Sequence, residues 1–423
     1  MEADVIIVGG GPAGVSAAIS AAREGMNTVL IEQTGSVGGV ATSGLMSHWA
    51  GLVQGGLFEE IIDRSIDCYK EDGSMLGHPL SIHPEKLKAI LFEMLDEEGV
   101  YLQLYTMFVD LIKNDTDQKI IEAIITESKS GREAFKGKIF IDATGDGDLA
   151  AKSGVPYKKG RDKDGKMQPM SLMFYVGGVN RNKAVLPGSF ESNPEVPMGK
   201  IQDLGKKNLP YPAGHVLLYE STMPGIVSVN MTNAINVDGT NTEDLTKGHK
   251  VCQSQIYPIV EFLKEFVPGF KNCYPIISAP MIGVRETRRF EGIYTLTGED
   301  ILKARIFDDW AVPSAYFNFD VHNIEGAGLD ETGAQKHFGQ KKPYTIPYRC
   351  FVTKKIDNIY LSGRNISGTH LAHSNYRVMT ICAKMGEVVG IASSLCIKNG
   401  INPPALNVEE LQSFLKNRDM KPN

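Results

Sequence analysis

The 423-residue sequence lacks several patterns that would reveal a function directly. Its six cysteines include no CxxC or CxxxxC pair, which argues against a metal site and a redox disulfide and favours buried thiols. No apolar run reaches the ~18 residues that a membrane helix needs, and no signal-like leader precedes the first predicted strand at Asp4. We therefore expect a cytoplasmic protein that makes no contact with a membrane.

Positive charge is not in excess either. The 44 Lys and Arg against 50 Asp and Glu give a formal net charge of −6, and the basic run "KKGRDKDGK" at 158–166 is interleaved with aspartates. Nucleic acid is not an expected partner, because binding to phosphate backbones requires clustered basic residues. The chain is longer than one hydrophobic core usually supports, so two domains are expected, interleaved in sequence. Nothing in the sequence fixes the oligomeric state, and a homo-oligomer stays open.

The strongest functional signal lies near the N-terminus. The stretch "DVIIVGGGPAGVSAAISAAREGMNTVLIEQ" predicts a strand, a helix and a strand, at 4–8, about 12–24 and 28–32. Gly9, Gly11 and Gly14 stand at GxGxxG spacing between the first strand and the helix. In that context the glycines permit a tight turn, a close approach of pyrophosphate to the backbone, and close packing of helix on strand. The helix N-terminus then favours the anionic phosphates.

An acidic residue and further glycines narrow the choice of dinucleotide. Glu32 ends the second strand, 21 residues after Gly11, where a carboxylate binds both hydroxyls of an adenosine ribose. The choice is then between FAD and NAD. The pair Gly38 and Gly39, with the strand ends "DATGDGD" (142–148) and "YLSGRNISG" (360–368), favours FAD, because an NAD dehydrogenase requires none of them.

These segments resemble the glutathione-reductase-type FAD flavoproteins called FAD-dependent oxidoreductases, with distant features of fumarate reductase flavoproteins and of the FAD-binding subunit of heterodisulfide reductase. The resemblance covers nearly the whole chain through "VIIVGGGPAG", "IDATGDGDLA", "GVRETRRFEGIYTLTGEDI", "IPYRCFV", "SGRNISGTHLAHSNYRVM" and "MGEVVGIAS". It implies FAD as cofactor and an α/β fold: a Rossmann-like FAD-binding domain of the glutathione-reductase type with an inserted α+β substrate domain.

A change of texture along the sequence suggests where the insertion lies. Proline-spaced strands begin near 155, a long helix interrupted by Pro258 follows, and the α/β texture returns after about 345. We predict that residues 1–154 form the first part of the FAD-binding domain, 155–344 the substrate or cap domain, and 345–423 the C-terminal part of the FAD-binding domain. The late helix in "YRVMTICAKMGEVVGIASSLCIKNG" is rich in small residues and should pack closely on a neighbour.

The resemblance also implies FAD-binding roles for individual residues. The pyrophosphate would bind Gly9, Gly11, Pro12, Ala13 and Gly14, and the ribose would bind Glu32 and Gln33. The ribityl chain and flavin would lie along Gly39, Ala41 and Thr42. The adenine would meet Phe108, and the adenosine side would be covered by Ala143, Thr144 and Gly145. Gly363 and Arg364 occupy a strand end where many relatives carry an acidic residue. Because an arginine cannot accept a hydrogen bond, we expect Arg364 to pair with a phosphate or an acidic neighbour.

No second glycine fingerprint lies between 155 and 345, so we expect hydride to pass directly between flavin and substrate rather than through a separate NAD(P)H domain. The position of Arg377 resembles that of the substrate-binding arginine of fumarate reductases. It falls in the first turn of a helix predicted to begin near Asn375, with His370 and His373 just before it. The alternative is structural: an arginine that holds the helix to the sheet, and histidines on a surface loop.

Two further histidines are candidates. His322, in "FDVHN", is a candidate general base for alcohol oxidation, and a satisfied structural histidine is the alternative. His48 invites comparison with the histidines that bind flavin covalently in fumarate reductase relatives. The local sequence does not match theirs, so non-covalent binding is predicted.

The segment 283–301 packs Arg285, Arg288 and Arg289 into five positions. A strand through this segment would place Arg285 and Arg289 on one face, and Glu286 and Arg288 on the other. We predict that one arginine, Arg285 or Arg288, reaches the flavin and binds a substrate carboxylate, while the others form salt bridges between domains.

The sequence therefore predicts an FAD-dependent oxidoreductase, a dehydrogenase or reductase that transfers hydride between a small organic substrate and flavin. Its electron acceptor or donor is unknown. One alternative is a fumarate-reductase-like C=C reductase of a carboxylated substrate. Another is an FAD electron-transfer subunit of a larger complex, and a non-redox FAD-binding module is the last.

Overall fold

A computed structural model describes residues 1–46, 48–65, 81–328, 340 and 342–422 of the chain. Five cysteines are buried free thiols, as expected: Cys252, Cys273, Cys350, Cys382 and Cys396. Cys68 lies outside the described residues.

The described residues form both strands and α-helices. The strands are β1 Glu2–Val8, β2 Thr28–Ile31, β3 Leu52–Val53, β4 Tyr101–Gln103, β5 Met107–Lys113, β6 Ile121–Ser128, β7 Gly131–Asp142, β8 Tyr157–Lys159, β9 Phe174–Gly177, β10 Glu195–Val196, β11 Gly199–Lys200, β12 Leu218–Glu220, β13 Val227–Val229, β14 Tyr274–Ser278, β15 Arg288–Phe290, β16 Trp310–Tyr316, β17 Tyr344–Pro347 and β18 Ile359–Leu361. The helices are α1 Pro12–Arg23, α2 Leu57–Ser65, α3 Pro84–Glu97, α4 Asp148–Lys152, α5 Ile201–Asn208, α6 Thr242–Phe266, α7 Gly298–Leu302, α8 His370–Tyr376, α9 Met379–Asn399 and α10 Val408–Lys416.

The largest sheet organises the fold. Its strand order is β4-β2-β1-β7-β6-β5, and β18 also pairs with β7. Strands β4, β2, β1, β7 and β18 are parallel neighbours, whereas β6 pairs antiparallel with the first half of β7. The chain has a mixed α/β fold with a parallel-strand sheet. In register, Val8 stands beside Ile31 and Asp142, and Asp142 beside Leu361, so four strand ends meet at one edge.

A second sheet, antiparallel in the order β12-β13-β9-β14, packs beside α6. Its buried side chains form a hydrophobic cluster that lies mostly between Met170 and Ala279, whereas side chains from Phe290 onward pack in the cluster of the large sheet. That second cluster therefore covers a shorter part of the chain than the predicted middle domain. The domain boundaries at 154/155 and 344/345 stay predictions.

Helices α1 and α9 pack with their backbones in contact. A Cβ atom added to Gly386 would lie 1.9 Å from the carbonyl oxygen of Ala13, and one added to Gly390 would lie 2.4 Å from that of Ala17. Side chains larger than hydrogen cannot occupy such positions, which confirms the predicted close packing of this helix on a neighbour.

The start of α9 differs from the prediction. The helix begins at Met379 rather than near Asn375, because Val378 has extended backbone angles (φ −70°, ψ 150°) and separates it from the short helix α8. Arg377 consequently ends α8 instead of lying in the first turn of the long helix. Pro258, by contrast, lies inside α6 without ending it.

Helix α9 is also the one described helix that is long and apolar enough to span a membrane, with a mean hydropathy of 1.4. Of that apolar window, 94% is buried inside the structure. The window contains Lys384 and Glu387, whose side chains form a 2.6 Å ion pair, so the sequence has no unbroken apolar run there. Its burial is that of a core helix.

We predict that Gly386→Ala destabilises the protein by about 1–3 kcal/mol or more, because the added methyl group meets backbone rather than a movable side chain. Urea unfolding measures the change. Gly248→Ala in α6 is the matched control: its added Cβ meets nothing nearer than 3.4 Å, and alanine stabilises a helix by roughly 0.5–1 kcal/mol relative to glycine. Equal effects of the two substitutions would contradict the prediction.

Candidate cofactor and substrate site

The glycine turn after β1 has the geometry of a phosphate-binding loop. Gly9 has φ +101°, and a Cβ there would lie 2.5 Å from the carbonyl oxygen of Ala143. A Cβ on Gly14 would lie 1.7 Å from the oxygen of Gly9, whereas one on Gly11 would meet nothing within 4 Å. Gly11 also caps α1 without any side-chain hydrogen bond to the first turn. The turn therefore leaves open space in front of uncapped N–H groups, which is where an anion binds.

Glu32 holds this turn from the neighbouring strand. Its Oε2 accepts a 2.7 Å hydrogen bond from Gly10 N–H, and its Oε1 accepts one of 2.7 Å from Thr34 N–H. The side chain is buried and lies in the wall of the central cavity. Each carboxylate oxygen keeps a second lone pair, so the group can still accept hydrogen bonds from ribose hydroxyls.

The turn after β7 is built around Asp142. This buried carboxylate accepts hydrogen bonds from the backbone and hydroxyl of Thr144 and from Ala150 N–H at 2.7–3.1 Å. Burial raises the pKa of Asp142 to about 6, against these hydrogen bonds. Thr144 in turn accepts from Gly147 N–H at 2.9 Å. The hydroxyl of Thr144 therefore stabilises the loop.

Arg364 follows β18 and pairs with an acidic neighbour, which is one of the two predicted outcomes. Its Nη2 donates to Asp146 Oδ1 at 2.9 Å. Its Nη1 is buried and has no hydrogen-bond partner among the described residues. An unpaired guanidinium nitrogen in the cavity wall is a donor available to a bound phosphate.

These loops open onto one cavity of about 1240 Å³. That volume exceeds the roughly 300–1,000 Å³ of an ordinary small-molecule pocket, so it has room for a dinucleotide and a substrate. Of the predicted cofactor residues, those in its wall are Gly9, Gly11, Pro12, Ala13, Glu32, Gln33, Gly39, Phe108, Ala143, Thr144, Gly145, Gly363 and Arg364.

Three predicted cofactor residues lie behind the wall instead. Gly14 packs on the backbone of Gly9, Ala41 is fully buried, and the hydroxyl of Thr42 donates to Val37 O at 2.6 Å. Their side chains shape the two glycine loops, and direct contact of Ala41 and Thr42 with the cofactor stays a prediction.

The wall of the same cavity also carries a cluster of charged and titratable side chains, namely Arg285, Asp320, His322 and Arg377. Arg377 Nη2 lies 2.6 Å from Asp320 Oδ2, and His322 Nε2 lies 3.3 Å from the same oxygen. Arg285 is 9% exposed and donates from Nη1 to the carbonyl oxygen of Pro169 at 2.6 Å. Three predicted substrate-side residues are therefore brought together at one place.

The cluster sets the charge of its members. Burial and the positive charge of Arg285 lower the pKa of His322 to about 4, although Asp320 opposes the shift. Burial alone would raise the pKa of Asp320, but His322 and Arg377 hold it well below its usual range. Burial and Arg377 lower the pKa of Arg285 to about 10. At neutral pH the cluster therefore holds two guanidinium cations, one carboxylate and a neutral imidazole.

Arg288 is not among the described residues of the cavity wall. It pairs with Asp148 at 2.8 Å, donates to the carbonyl oxygen of Asp146 at 3.0 Å and lies over the ring of Tyr157. Only residues 288–290 of the predicted strand form a strand, paired with Tyr157–Lys159, and this pairing fixes the direction of Arg288. The prediction that Arg288 contacts the substrate is corrected: it ties β15 to α4.

The buried network around Glu286 departs from the alternation expected of a strand. Arg289 Nε lies 3.3 Å from Glu286 Oε1, and His370 Nδ1 lies 2.7 Å from the same oxygen. Arg289 also donates to the carbonyl oxygens of Gly368 and Gly160. Arg289, Glu286 and His370 thus form the salt-bridge network that the sequence predicted as the alternative role.

Two histidines need separate placement. His373 is fully buried, packs edge-on against Tyr376 and is not among the described residues of the cavity wall, so its predicted catalytic role is corrected to a structural one. Burial lowers its pKa well below the usual value. His48 does line the cavity, stacked on Tyr219 with ring centroids 5.0 Å apart.

Asp320, Phe190 and Tyr219 also line the cavity, although the sequence did not predict a role for them. Asp320 stands two positions before His322, a spacing that puts both side chains on one face of an extended segment and could have linked them. Phe190 packs edge-on against His322 at 5.0 Å. No local pattern marks Phe190 or Tyr219, because long-range folding brings them to the site.

The fold and the cavity define an α/β protein with a dinucleotide site at the carboxyl ends of a parallel sheet. Open space at Gly11 and the orphaned Nη1 of Arg364 fit a bound pyrophosphate. The FAD dependent oxidoreductase family matches residues 4–415, and the chain belongs to that family. It is an enzyme, and its cofactor is FAD.

Two solved structures support the fold. A geranylgeranyl bacteriochlorophyll reductase-like protein from Thermoplasma acidophilum has 13% identity and a TM-score of 0.51, over 99% of this chain and 84% of that one. The p-nitrophenol 4-monooxygenase PnpA from Pseudomonas putida DLL-E4 has 12% identity and a TM-score of 0.50, over 99% and 87%. Likeness at such identities concerns the fold alone. The search of curated proteins found no match.

We predict that Glu32→Gln weakens FAD binding about 10- to 100-fold, because an amide supplies one acceptor oxygen where the carboxylate supplies two, and hydrogen bonds to a charged group are worth about 1.5–3 kcal/mol. Titration of the apoprotein with FAD, followed by flavin fluorescence, measures the affinity. Glu127→Gln, an exposed carboxylate paired with Arg132, is the control and should leave it unchanged. Unaltered affinity of the Glu32 variant would refute the assignment.

Proposed function

We propose that this enzyme is a dehydrogenase of the glutathione-reductase structural type, with the middle segment as its substrate domain, that oxidises a small organic alcohol or amine. One observation carries the proposal: a single cavity joins the dinucleotide loops to the Arg285, Asp320, His322 and Arg377 cluster. FAD supplies a hydride acceptor when bound. The chain's own residues then have to bind the substrate, orient it and remove a proton.

His322 is suited to removing that proton. Its imidazole is neutral at neutral pH because its pKa is about 4, and Asp320 Oδ2 lies 3.3 Å from Nε2. With the Nε2 proton directed at Asp320, Nδ1 is the acceptor. As the substrate C–H bond gives up a hydride, its O–H or N–H proton passes to His322, and a C=O or C=N bond forms. Arg377 holds Asp320 in place at 2.6 Å.

A different reaction, reduction of a C=C bond in a carboxylated substrate by hydride from the reduced flavin, is the second candidate. Arg285 supports it, since this cation in the cavity wall could bind a carboxylate. The low pKa of His322 favours oxidation, because an imidazole that is neutral at pH 7 is a poor proton donor.

An electron-transfer subunit is less well supported, because such a protein needs no buried titratable cluster beside its cofactor. A small-molecule substrate and an external electron acceptor are the proposed partners, with neither nucleic acid nor membrane among them. The cytoplasm is the proposed location. Whether the protein forms a homo-oligomer has to be measured.

The proposal predicts that one or more alcohols or amines, in a panel that includes amino acids and sugars, bleaches the visible flavin absorbance of the anaerobic enzyme. In His322→Gln the flavin content should stay the same, while the rate of bleaching falls about 10²- to 10⁴-fold with loss of the base. His83→Asn is the control, since His83 caps α3, far from His322 in sequence, and asparagine also caps helices well.

The pH dependence gives a second reading of the same experiment. Because the pKa of His322 is lowered, the active neutral form persists as pH falls below 6.5, and kcat/KM should decline only as pH approaches about 4. An acid limb near pH 6.5 would contradict the assignment of His322. Bleaching by NADH alone, with no organic substrate effective, would contradict direct transfer.

A further inference from the structure

We infer that the substrate carries one carboxylate, which binds Arg285, on an apolar or aromatic body. This substrate class belongs to the site described under the proposed function, and only the location of the site is taken from that proposal. It does not depend on the direction of the redox reaction.

Arg285 is a buried cation without a carboxylate partner. Its side chain is nine-tenths buried and lines the cavity, and its Nη1 donates a 2.6 Å hydrogen bond to the carbonyl oxygen of Pro169. Among the residues that the structure describes, no Asp or Glu oxygen lies within ion-pair distance of this guanidinium, although Asp320 attracts it from farther away. Burial of a charge is costly unless the charge is paired, so the pairing group is expected from a ligand.

The neighbouring charges limit the ligand to one anionic group. Arg377 is already paired with Asp320 at 2.6 Å, and it also donates to the backbone oxygen of Asp320 at 2.9 Å. His322 is neutral and lies 3.3 Å from the same carboxylate. The two guanidinium groups and one carboxylate leave a net charge of +1, which one ligand carboxylate balances. A second carboxylate would lie near Asp320, which repels it and already holds Arg377.

Aromatic rings form the wall beside these charges. Phe190 contacts His322 edge-on at 5.0 Å and also packs against His215 at 5.1 Å. Burial and His322 lower the pKa of His215 to about 3, so it adds no cation. Tyr219 stacks on His48, and both line the cavity. Such a wall removes apolar surface of a ligand from water, which favours an aromatic or alkyl body over a sugar.

The shape of guanidinium permits two oxyanions, carboxylate and phosphate, since both accept paired N–H donors. Carboxylate is favoured because a single negative charge balances the cluster, whereas phosphate carries up to two. Phosphate and dicarboxylate are therefore outcomes of the test.

The test uses the oxidised FAD-loaded enzyme and follows calorimetric heat and the perturbation of flavin absorbance. The probes are benzoate, benzyl alcohol, succinate and inorganic phosphate. We expect benzoate to bind at least about 10-fold more tightly than each of the other three. Arg285→Gln should weaken benzoate binding by about 30-fold or more, and Arg285→Lys by less, because lysine keeps the charge but not the paired donors. Arg288→Gln, in the same segment but outside the cavity wall, should bind benzoate like the unmodified enzyme.

Equal binding of benzoate and benzyl alcohol, or tighter binding of succinate or phosphate, would overturn the inference in the unmodified enzyme, whether or not the Arg285 variants fold. Unchanged benzoate affinity in a folded, FAD-loaded Arg285→Gln would do so as well. If neutral alcohols bleach the flavin equally in the unmodified enzyme and in Arg285→Gln, the proposed function stands and this inference fails. If benzoate binding requires Arg285 and no compound of the panel bleaches the flavin, this inference stands and the proposed function fails.

Discussion

The close approach of α1 to its neighbours on two sides is the constraint on which the structure depends. On one side Gly14 brings α1 against the turn at Gly9, where an added Cβ would lie 1.7 Å from a carbonyl oxygen. On the other side Gly386 brings α9 against Ala13, with a corresponding distance of 1.9 Å. Helix α1 is thus held between the sheet and α9, and Val378 and Met379 at the start of α9 join the cavity wall.

The polar interactions of the site follow from this arrangement, because the loops at four strand ends are held at fixed distances. Glu32 ties the turn after β1 to the end of β2, and Asp142 organises the turn after β7. Asp146 in that turn accepts hydrogen bonds from both Arg364 and Thr287. These bonds link the cofactor end of the cavity to the arginine-rich segment. Among the charged groups described there, most are paired within the protein. Arg285 has no carboxylate within ion-pair distance among the described residues.

Much of the cofactor end could be predicted from sequence, because a strand, a glycine turn, a helix and an acidic residue at the next strand end are local signals. The close packing of α9 was predictable from its small residues in the same way. The start of α9 was not, since a single extended residue, Val378, separates two helical segments.

The substrate end depended on contacts between residues far apart in sequence. Alternation predicted opposite faces for Arg289 and Glu286, yet the two pair, because the segment before Arg288 is not a strand. Of the two arginines predicted to compete for the site, Arg285 lines the cavity, and its contact with flavin or substrate stays a prediction. Local sequence could not separate them, since the partners Asp148 and Pro169 belong to other segments.

The central claim is that one cavity holds both FAD and the groups that act on the substrate. A crystal structure of the FAD-bound enzyme tests it most directly. We expect the pyrophosphate to lie against Gly11 and Arg364, and the flavin ring to reach the part of the cavity that holds Arg285 and His322. A flavin ring separated from those two side chains by protein, or a pyrophosphate bound away from Gly11, would contradict it.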